Sequence, residues 1–288
     1  MGIFSDVLLT VDYDRTLTAP DSTIPQRNLD AIRFFMENGG AFTVNTGRSV
    51  PMYRPMQDRI PVNAPVLLYN GSAAYDPKSG RLSRMRPIEL PMADTIRELL
   101  KQFPDLTVEV QGVRAHFSFL ENAAWNAFSD RNHCTRELAE PEDDLGPFLK
   151  FSLYGSFTDD TVDSLFHASP EETARMDAAQ AWVEQRFAGK VVAFRAAPKI
   201  IDCHAYGVSK AVCARDLQKK LGRKILVVAG DTDNDIPMMI GADYAFSPAD
   251  GALADRFPNV CPCADGAVAD VIYKKIPDIL DIHIDKYE

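Results

Sequence analysis

Lys224 to Met239, K-I-L-V-V-A-G-D-T-D-N-D-I-P-M-M, leaves this chain few ways to fold. Ile225 to Ala229 read as a strand buried on both faces, the habit of a parallel sheet covered by helices. Gly230 permits a tight turn, and Asp231, Asp233, Asn234 and Asp235 then crowd the strand end and the start of a helix. The apolar side of that helix takes Met238, Met239 and Ile240. Capping accounts for one short polar side chain; the rest are oxygen donors suited to a hard cation, at a spacing unlike an EF-hand.

A second carboxylate pair lies near the start of the chain. Ile3, Val7, Leu8, Leu9 and Val11 form an apolar run long enough for one buried strand and too short to span a bilayer. T-V-D-Y-D-R-T-L-T, residues 10 to 18, then places Asp12 and Asp14 at the strand end, where repulsion calls for a cation or a raised pKa. The alternative is an Asx-turn or helix cap, with Thr16 or Thr18 capping a following helix.

Leu29, Ile32, Phe35 and Met36 recur at helical spacing until Gly39-Gly40, and Ala41 to Thr46 follow as a strand. That is a parallel β-α-β unit. Thr46-Gly47-Arg48-Ser49 falls at its carboxyl end, where a hydroxyl, main-chain N–H groups and a guanidinium suit phosphoryl oxygens; a helix N-cap with a solvated Arg is the competing reading. Residues 61 to 69 supply a third strand, closed by the Asn70-Gly71 turn, and a hairpin turn at 76–80 leads out through 82–88.

From about 85 to 190 the pattern changes. Helices are expected at 91–103, 122–131, 159–166 and 171–187, strands at 106–110, 114–120 and 148–154, and an acidic loop at 137–146. Short strands at 191–194 and 199–201 close the region. This is an α/β insert with a mostly antiparallel sheet, a lid or cap, so residues 1–84 and 191–288 form the core and 85–190 the insert. Beyond it Lys210 opens a helix with Val212, Leu217 and Leu221 among its apolar positions; a lone Lys there is either solvated or held toward the active edge.

At 288 residues, 46% hydrophobic and 25% charged, the chain is ordinary globular material. A net charge of −10 without a dense basic block argues against a nucleic-acid surface, so positive charge used on a phosphate must be local. Five dispersed Cys suit a reducing cytoplasm, and Cys261 and Cys263 lack the second pair or nearby His of a zinc site. Asp6 is not the Ser or Thr that N-myristoylation of Gly2 requires.

In order and local context these segments resemble the haloacid dehalogenase (HAD) superfamily, and most closely its Cof-type subfamily with a C2 cap. D-Y-D-R-T-L-T is similar to the first motif, N-T-G-R-S to the second, G-V-S-K to the third and G-D-T-D-N-D-I-P-M-M to the fourth. The resemblance implies a Rossmann-like, three-layer α/β core with a parallel sheet and an inserted α/β C2 cap. It makes Asp12 the nucleophile that forms an aspartyl phosphate and Asp14 the acid that protonates the leaving group and helps activate water. Thr46 and Lys210 contact the phosphoryl group, with Gly47, Arg48, Asn70 and Asn234 as phosphate- or substrate-binding candidates. Mg²⁺ falls to Asp12, the Asp14 carbonyl and Asp231, with Asp235 in support. Members that cleave carbon–halogen bonds lack the second Asp, so Asp14 favours phosphate chemistry.

Three departures stand out. Arg15 replaces a frequent Gly, Phe246 to Asp250 replaces the usual Gly-Asn-Ala segment, and Asp202-Cys203-His204 replaces the commoner Glu-Ile. The implied function is a phosphatase of small phosphorylated metabolites, sugar phosphates first, working as a monomer or homodimer without nucleic acid or membrane. A phosphomutase needs several cationic groups in the cap to hold a bisphosphate, and Arg114, His116, Lys150 and Arg195 are scattered in sequence. A non-catalytic metabolite-binding protein is the third class.

Overall fold

Val7 to Val11 are all buried, and a run this apolar is stable as a strand with neighbours on both edges and helices on both faces. The computed structural model describes residues 2–121, 123–155 and 167–284. Along the chain come β1 (Val7–Val11), α1 (Gln26–Glu37), β2 (Ala41–Val44), α2 (Val50–Tyr53), β3 (Val66–Leu68), β4 (Ala73–Asp76), β5 (Arg81–Met85), α3 (Met92–Gln102), β6 (Thr107–Gln111), β7 (His116–Ser118), α4 (Ala123–Arg131) and β8 (Arg136–Leu138). Then follow β9 (Lys150–Tyr154), α5 (Pro170–Arg186), β10 (Val191–Ala197), β11 (Ile200–Ala205), α6 (Lys210–Lys220), β12 (Ile225–Ala229), α7 (Ile236–Gly241), β13 (Tyr244–Pro248), β14 (Asn259–Val260), α8 (Ala267–Asp270) and α9 (Ile276–Leu280). The helix expected at 159–166 lies outside the described residues.

The chain divides into two units: Met1–Gly47, Asp58–Ser83 and Ser209–Glu288 in the first, Arg48–Gln57 and Arg84–Val208 in the second. The first unit is built on a parallel sheet in the order β14-β13-β12-β1-β2. Val7 to Val11 pair in register with Ile225 to Ala229, so the two apolar runs end side by side and deliver their Asp residues to one edge. Leu8, Leu226 and Val228 pack with Ala214, Leu217, Met238 and Met239 from α6 and α7. Alternation turns Leu9, Val11 and Val227, equally buried, to the opposite face.

The third strand forms at β3, which meets the sheet through one parallel bridge, Asn45 to Leu67, and pairs antiparallel with β4, a strand the sequence reading left unassigned. Two expectations need correction. Val212 and Ile240, expected on apolar faces, are exposed, because α6 buries Cys213, Ala214 and Leu217 and α7 buries Met238 and Met239.

The second unit carries a six-stranded sheet, β10-β11-β9-β6-β7-β8. Its pairings are antiparallel except β7 with β8, which takes the first residues of the expected acidic loop into a strand. β10 and β11 pair into this sheet, so the structural division falls after Val208, whereas the sequence expectation placed residues 191–288 with the core. Val108, Val110, Phe117, Phe151, Leu153 and Ile201 face a core completed by Ile96 and Leu99 of α3 and Met176 and Val183 of α5. The alternate residues of the same strands form a polar face.

Candidate active site

Asp12 extends the β1 ladder by one residue, its N–H donating to Ala229 O at 2.9 Å. Across the strand ends, Asp12, Asp231 and Asp235 bring carboxylate oxygens within 4.8 Å of one another, all three side chains buried. Gly230 makes the turn that allows this: a Cβ there would lie 2.6 Å from Asp235 Cβ, so no other residue fits without displacing the carboxylate. Asp235 Oδ2 accepts from the main-chain N–H of Asp231 (3.1 Å) and Thr232 (3.3 Å), and Asp231 Oδ1 accepts from Thr16 Oγ1 at 3.0 Å. Lys210, at the start of α6 and 1% exposed, donates to Asp12 Oδ1 at 2.6 Å and to Asp235 Oδ1 at 2.7 Å.

Three carboxylates against one ammonium leave an excess of negative charge. At an effective dielectric near 20, two such charges 4.8 Å apart repel by roughly 3 kcal/mol. The titrations reflect it. Burial pushes Asp12 well above the usual carboxylate range, Lys210 pulls it down, and Asp235, Asp231 and Asp14 push it up. Burial and then Asp235 raise Asp231 to about 7, against the hydroxyl of Thr16 and the charges of Lys210 and Arg15. Lys210 is desolvated, yet Asp12 and Asp235 hold it above the ordinary lysine value. Hard oxygen donors carrying surplus charge in a buried site fit a divalent cation, which would stand where a proton otherwise must.

The other expected residues fall nearby or elsewhere. Thr46 N–H donates to Leu67 O (2.9 Å) and Thr46 O accepts from Asn70 N–H (3.0 Å), while the Asn70 amide lies against Gly47. Asn70 is in the left-handed region, φ 52°, and the following Gly71 has φ 98° with Cys213 Sγ where a Cβ would be. Asp14 is half-buried beside Asp12; Asn234 accepts from Thr232 Oγ1 at 2.9 Å. Arg48 packs with the second unit. Asn45, not singled out from the sequence, is fully buried and joins β2 to α6 by donating to Lys210 O at 2.9 Å. Its one available signal was a polar residue at the end of a buried strand.

The departures acquire physical reasons. Arg15 has φ 58°, the left-handed conformation that favours Gly, and its charge acts on Asp231 and Asp250. Asp250 accepts from Cys263 N–H at 2.9 Å, so the loop after β13 is tied to the Cys pair by a carboxylate. Cys261 and Cys263 are free thiols, and the metal-competent cluster among the described residues is the Asp12, Asp231 and Asp235 one. His204 is fully buried opposite Lys150, and burial with that neighbour pushes it well below the usual histidine value.

Solved structures share this fold. A haloacid dehalogenase-like hydrolase from Bacteroides thetaiotaomicron superposes with a TM-score of 0.75 at 18% identity, covering 93% of this chain and 98% of its own. A second protein from that organism, described among phosphatases of the HAD superfamily, gives 0.73 at 18% identity over 96% and 95%. A sugar phosphatase of HAD subclass IIB gives 0.73 at 14% identity over 96% and 99%. No curated protein matches the chain in sequence. No helix among the described residues is long and apolar enough to cross a membrane. The family model for haloacid dehalogenase-like hydrolases matches residues 9–254, and the chain, an enzyme, belongs to that family.

Proposed function

We propose that the chain is a Mg²⁺-dependent phosphomonoester hydrolase acting on a small phosphorylated metabolite, with sugar phosphates as the substrate class, through an aspartyl-phosphate intermediate. The observation that carries this reading is the 2.6 Å bond from Lys210 Nζ to Asp12 Oδ1 at the edge of the acidic cluster. It holds one carboxylate oxygen and leaves Oδ2 of the same side chain for attack. Asp12 and Asp231, with the Asp14 carbonyl and Asp235 in support, would hold Mg²⁺, which when bound neutralises charge on phosphoryl oxygens.

Asp12 attacks phosphorus in line as the ester P–O bond breaks, and Asp14 gives its proton to the departing oxygen. Water then attacks the phosphorus of the acyl phosphate, Asp14 takes the proton, the bond to Asp12 breaks and inorganic phosphate leaves. Lys210 and the Thr46 hydroxyl hold phosphoryl oxygens throughout. Gly47, Arg48, Asn70 and Asn234 complete the phosphate and substrate contacts.

The second unit serves as a C2-type cap, in a protein of the Cof-type subfamily that works in the cytoplasm as a monomer or homodimer. The sugar phosphatase among the structures of like fold supports the substrate class. Hydrolysis is favoured over a mutase because the cap's cations carry acidic partners: Arg114 with Glu137, Lys150 with Asp202, Arg195 with Asp177, His116 with Glu109. A bisphosphate would find them already neutralised.

A panel of phosphomonoesters assayed with Mg²⁺, wild type beside Asp12→Asn, tests the assignment. The variant should fold and lose hydrolysis by about a thousandfold or more. Unchanged turnover would contradict it.

A further inference from the structure

Asp12, Lys210 and Asp235 stand at the ends of separate elements, yet the lysine ammonium meets both carboxylates, at 2.6 and 2.7 Å. A lysine stem is long and flexible, so this placement depends on where its Cα is held as well as on the two carboxylates. The first turn of α6 is held closely. Ser209 caps it, its Oγ accepting from Val212 N–H at 3.3 Å. Gly71, φ 98°, presses against the same turn: a Cβ there would stand 2.7 Å from Ser209 O and 2.6 Å from Cys213 Sγ.

The third contact comes from Asn45, fully buried and next after β2. Its main-chain N–H donates to Val11 O at 2.9 Å, one residue before Asp12. Its side-chain Nδ2 donates to Lys210 O at 2.9 Å and to Met238 Sδ at 3.3 Å, three residues after Asp235. Cys213 Sγ lies 3.6 Å from Asn45 Oδ1 and 3.2 Å from Lys210 O, so the amide has acceptors on its nitrogen side and a thiol on its oxygen side. Asn45 is thus bonded to the segments that carry Asp12, Lys210 and Asp235, and all of these residues belong to the first unit. Burying an amide costs desolvation that an apolar side chain of the same size avoids, so what distinguishes Asn45 is what its bonds hold.

Resting on the functional reading above, we infer that Asn45 is a positioning residue for phosphoryl transfer. By bonding the Lys210 carbonyl it fixes the origin of the lysine stem, and with it the place of the ammonium against Asp12 and the phosphoryl oxygens. Without that bond the start of α6 and the end of β2 can shift by a fraction of an ångström. Attack by Asp12 is slowed, while the metal ligands and the other substrate contacts are kept.

The test is a single-turnover acid quench with Mg²⁺ and the best phosphomonoester, beside Mg²⁺ calorimetry, on wild type, N45A, N45L, C213A and M238L, each checked by circular dichroism and thermal unfolding. N45A should slow phosphorylation of Asp12 about tenfold, with substrate and Mg²⁺ affinities within about threefold of wild type. N45L, close to Asn in shape but without its donors, should recover stability lost in N45A and leave the rate low. C213A removes the second contact on the Lys210 carbonyl and should slow phosphorylation about threefold. M238L leaves the bond from Asn45 to Lys210 in place and should cost less than about twofold. Recovery of the rate in N45L would reduce Asn45 to packing and overturn the proposal. A loss confined to substrate or Mg²⁺ affinity, or an M238L as slow as N45A, would overturn it too. If neither Asn45 variant folds, C213A decides, and phosphorylation at the wild-type rate overturns the proposal. A wild type that hydrolyses no phosphomonoester takes down the functional reading first and this inference with it; an active wild type with an indifferent N45A overturns the inference alone.

Discussion

The acidic cluster of the first unit and the polar face of the second unit's sheet both bury an ion pair at 2.6 Å, Lys210 with Asp12 in one and Lys150 with Asp202 in the other. Their surroundings differ. On that face Trp125, His116 and Tyr154 serve Glu109, and Ser152 and Lys150 serve Asp202, so Glu109 sits below its usual value although burial opposes it. In the cluster three carboxylates share one ammonium, and Asp12 and Asp231 both lie above theirs. A buried assembly in which each carboxylate has a cationic or donor partner of its own is a scaffold. One left with surplus negative charge fits a divalent cation.

Removing the lysine from each assembly separates them most sharply. Lys210→Met leaves Asp12 and Asp235 unpaired, and should cost about 3–5 kcal/mol in denaturant unfolding along with nearly all turnover. Lys150→Met should destabilise less, because Ser152 still donates to Asp202, and should leave kcat within about threefold of wild type. Equal losses in the two variants would erase the distinction.

Gly230→Ala tests the cluster's geometry without touching its charge. The added methyl collides with Asp235 Cβ, and about 1–3 kcal/mol of stability should go. Mg²⁺ affinity, measured by calorimetry, should fall with it. A neutral result would mean that the turn can open without moving the carboxylate.

The surplus charge also makes a pH prediction for metal-free protein. Asp231 is raised when folded, to about 7, so its stabilising proton is present below the ordinary carboxylate value and lost as pH rises through 7. Thermal unfolding in chelator should therefore weaken from pH 5 to 8, on the order of 1–2 kcal/mol. Saturating Mg²⁺ should flatten that slope, because the cation replaces the proton. A slope unchanged by metal would place the cation elsewhere.

How much of this was legible in the sequence depended on range. Asp12, Asp231 and Asp235 announced themselves because charge crowding at the end of an apolar run is a local pattern, and the register of β1 with β12 joins the two patterns. Asn45 and Thr16 were not legible as parts of the site, since their partners, Lys210 and Asp231, lie 165 and 215 residues away. Ser49 Oγ and His116 Nε2, which meet at 2.6 Å, are 67 residues apart, a pairing that composition does not encode. β10 and β11 were recognised as strands, but pairing with β9, not propensity, decided their unit.

Arg15 offers the smallest test. Arg15→Gly relieves the left-handed backbone and should stabilise by about 0.5–1 kcal/mol, while removing a positive charge that favours ionised Asp231. Mg²⁺ should then bind a few-fold more tightly, because a positive charge beside the cation site is gone. A stability loss would mean that the side chain makes a contact worth more than the strain.

The central claim is that Asp12 carries the phosphoryl group. Rapid acid quench of the enzyme during turnover with its best phosphomonoester and Mg²⁺, followed by intact-mass and peptide mass spectrometry, addresses it directly. One phosphoryl group should appear on the peptide containing Asp12 in wild type and be absent in Asp12→Asn. Sustained turnover with the label on another residue, or label retained in the variant, would contradict the account.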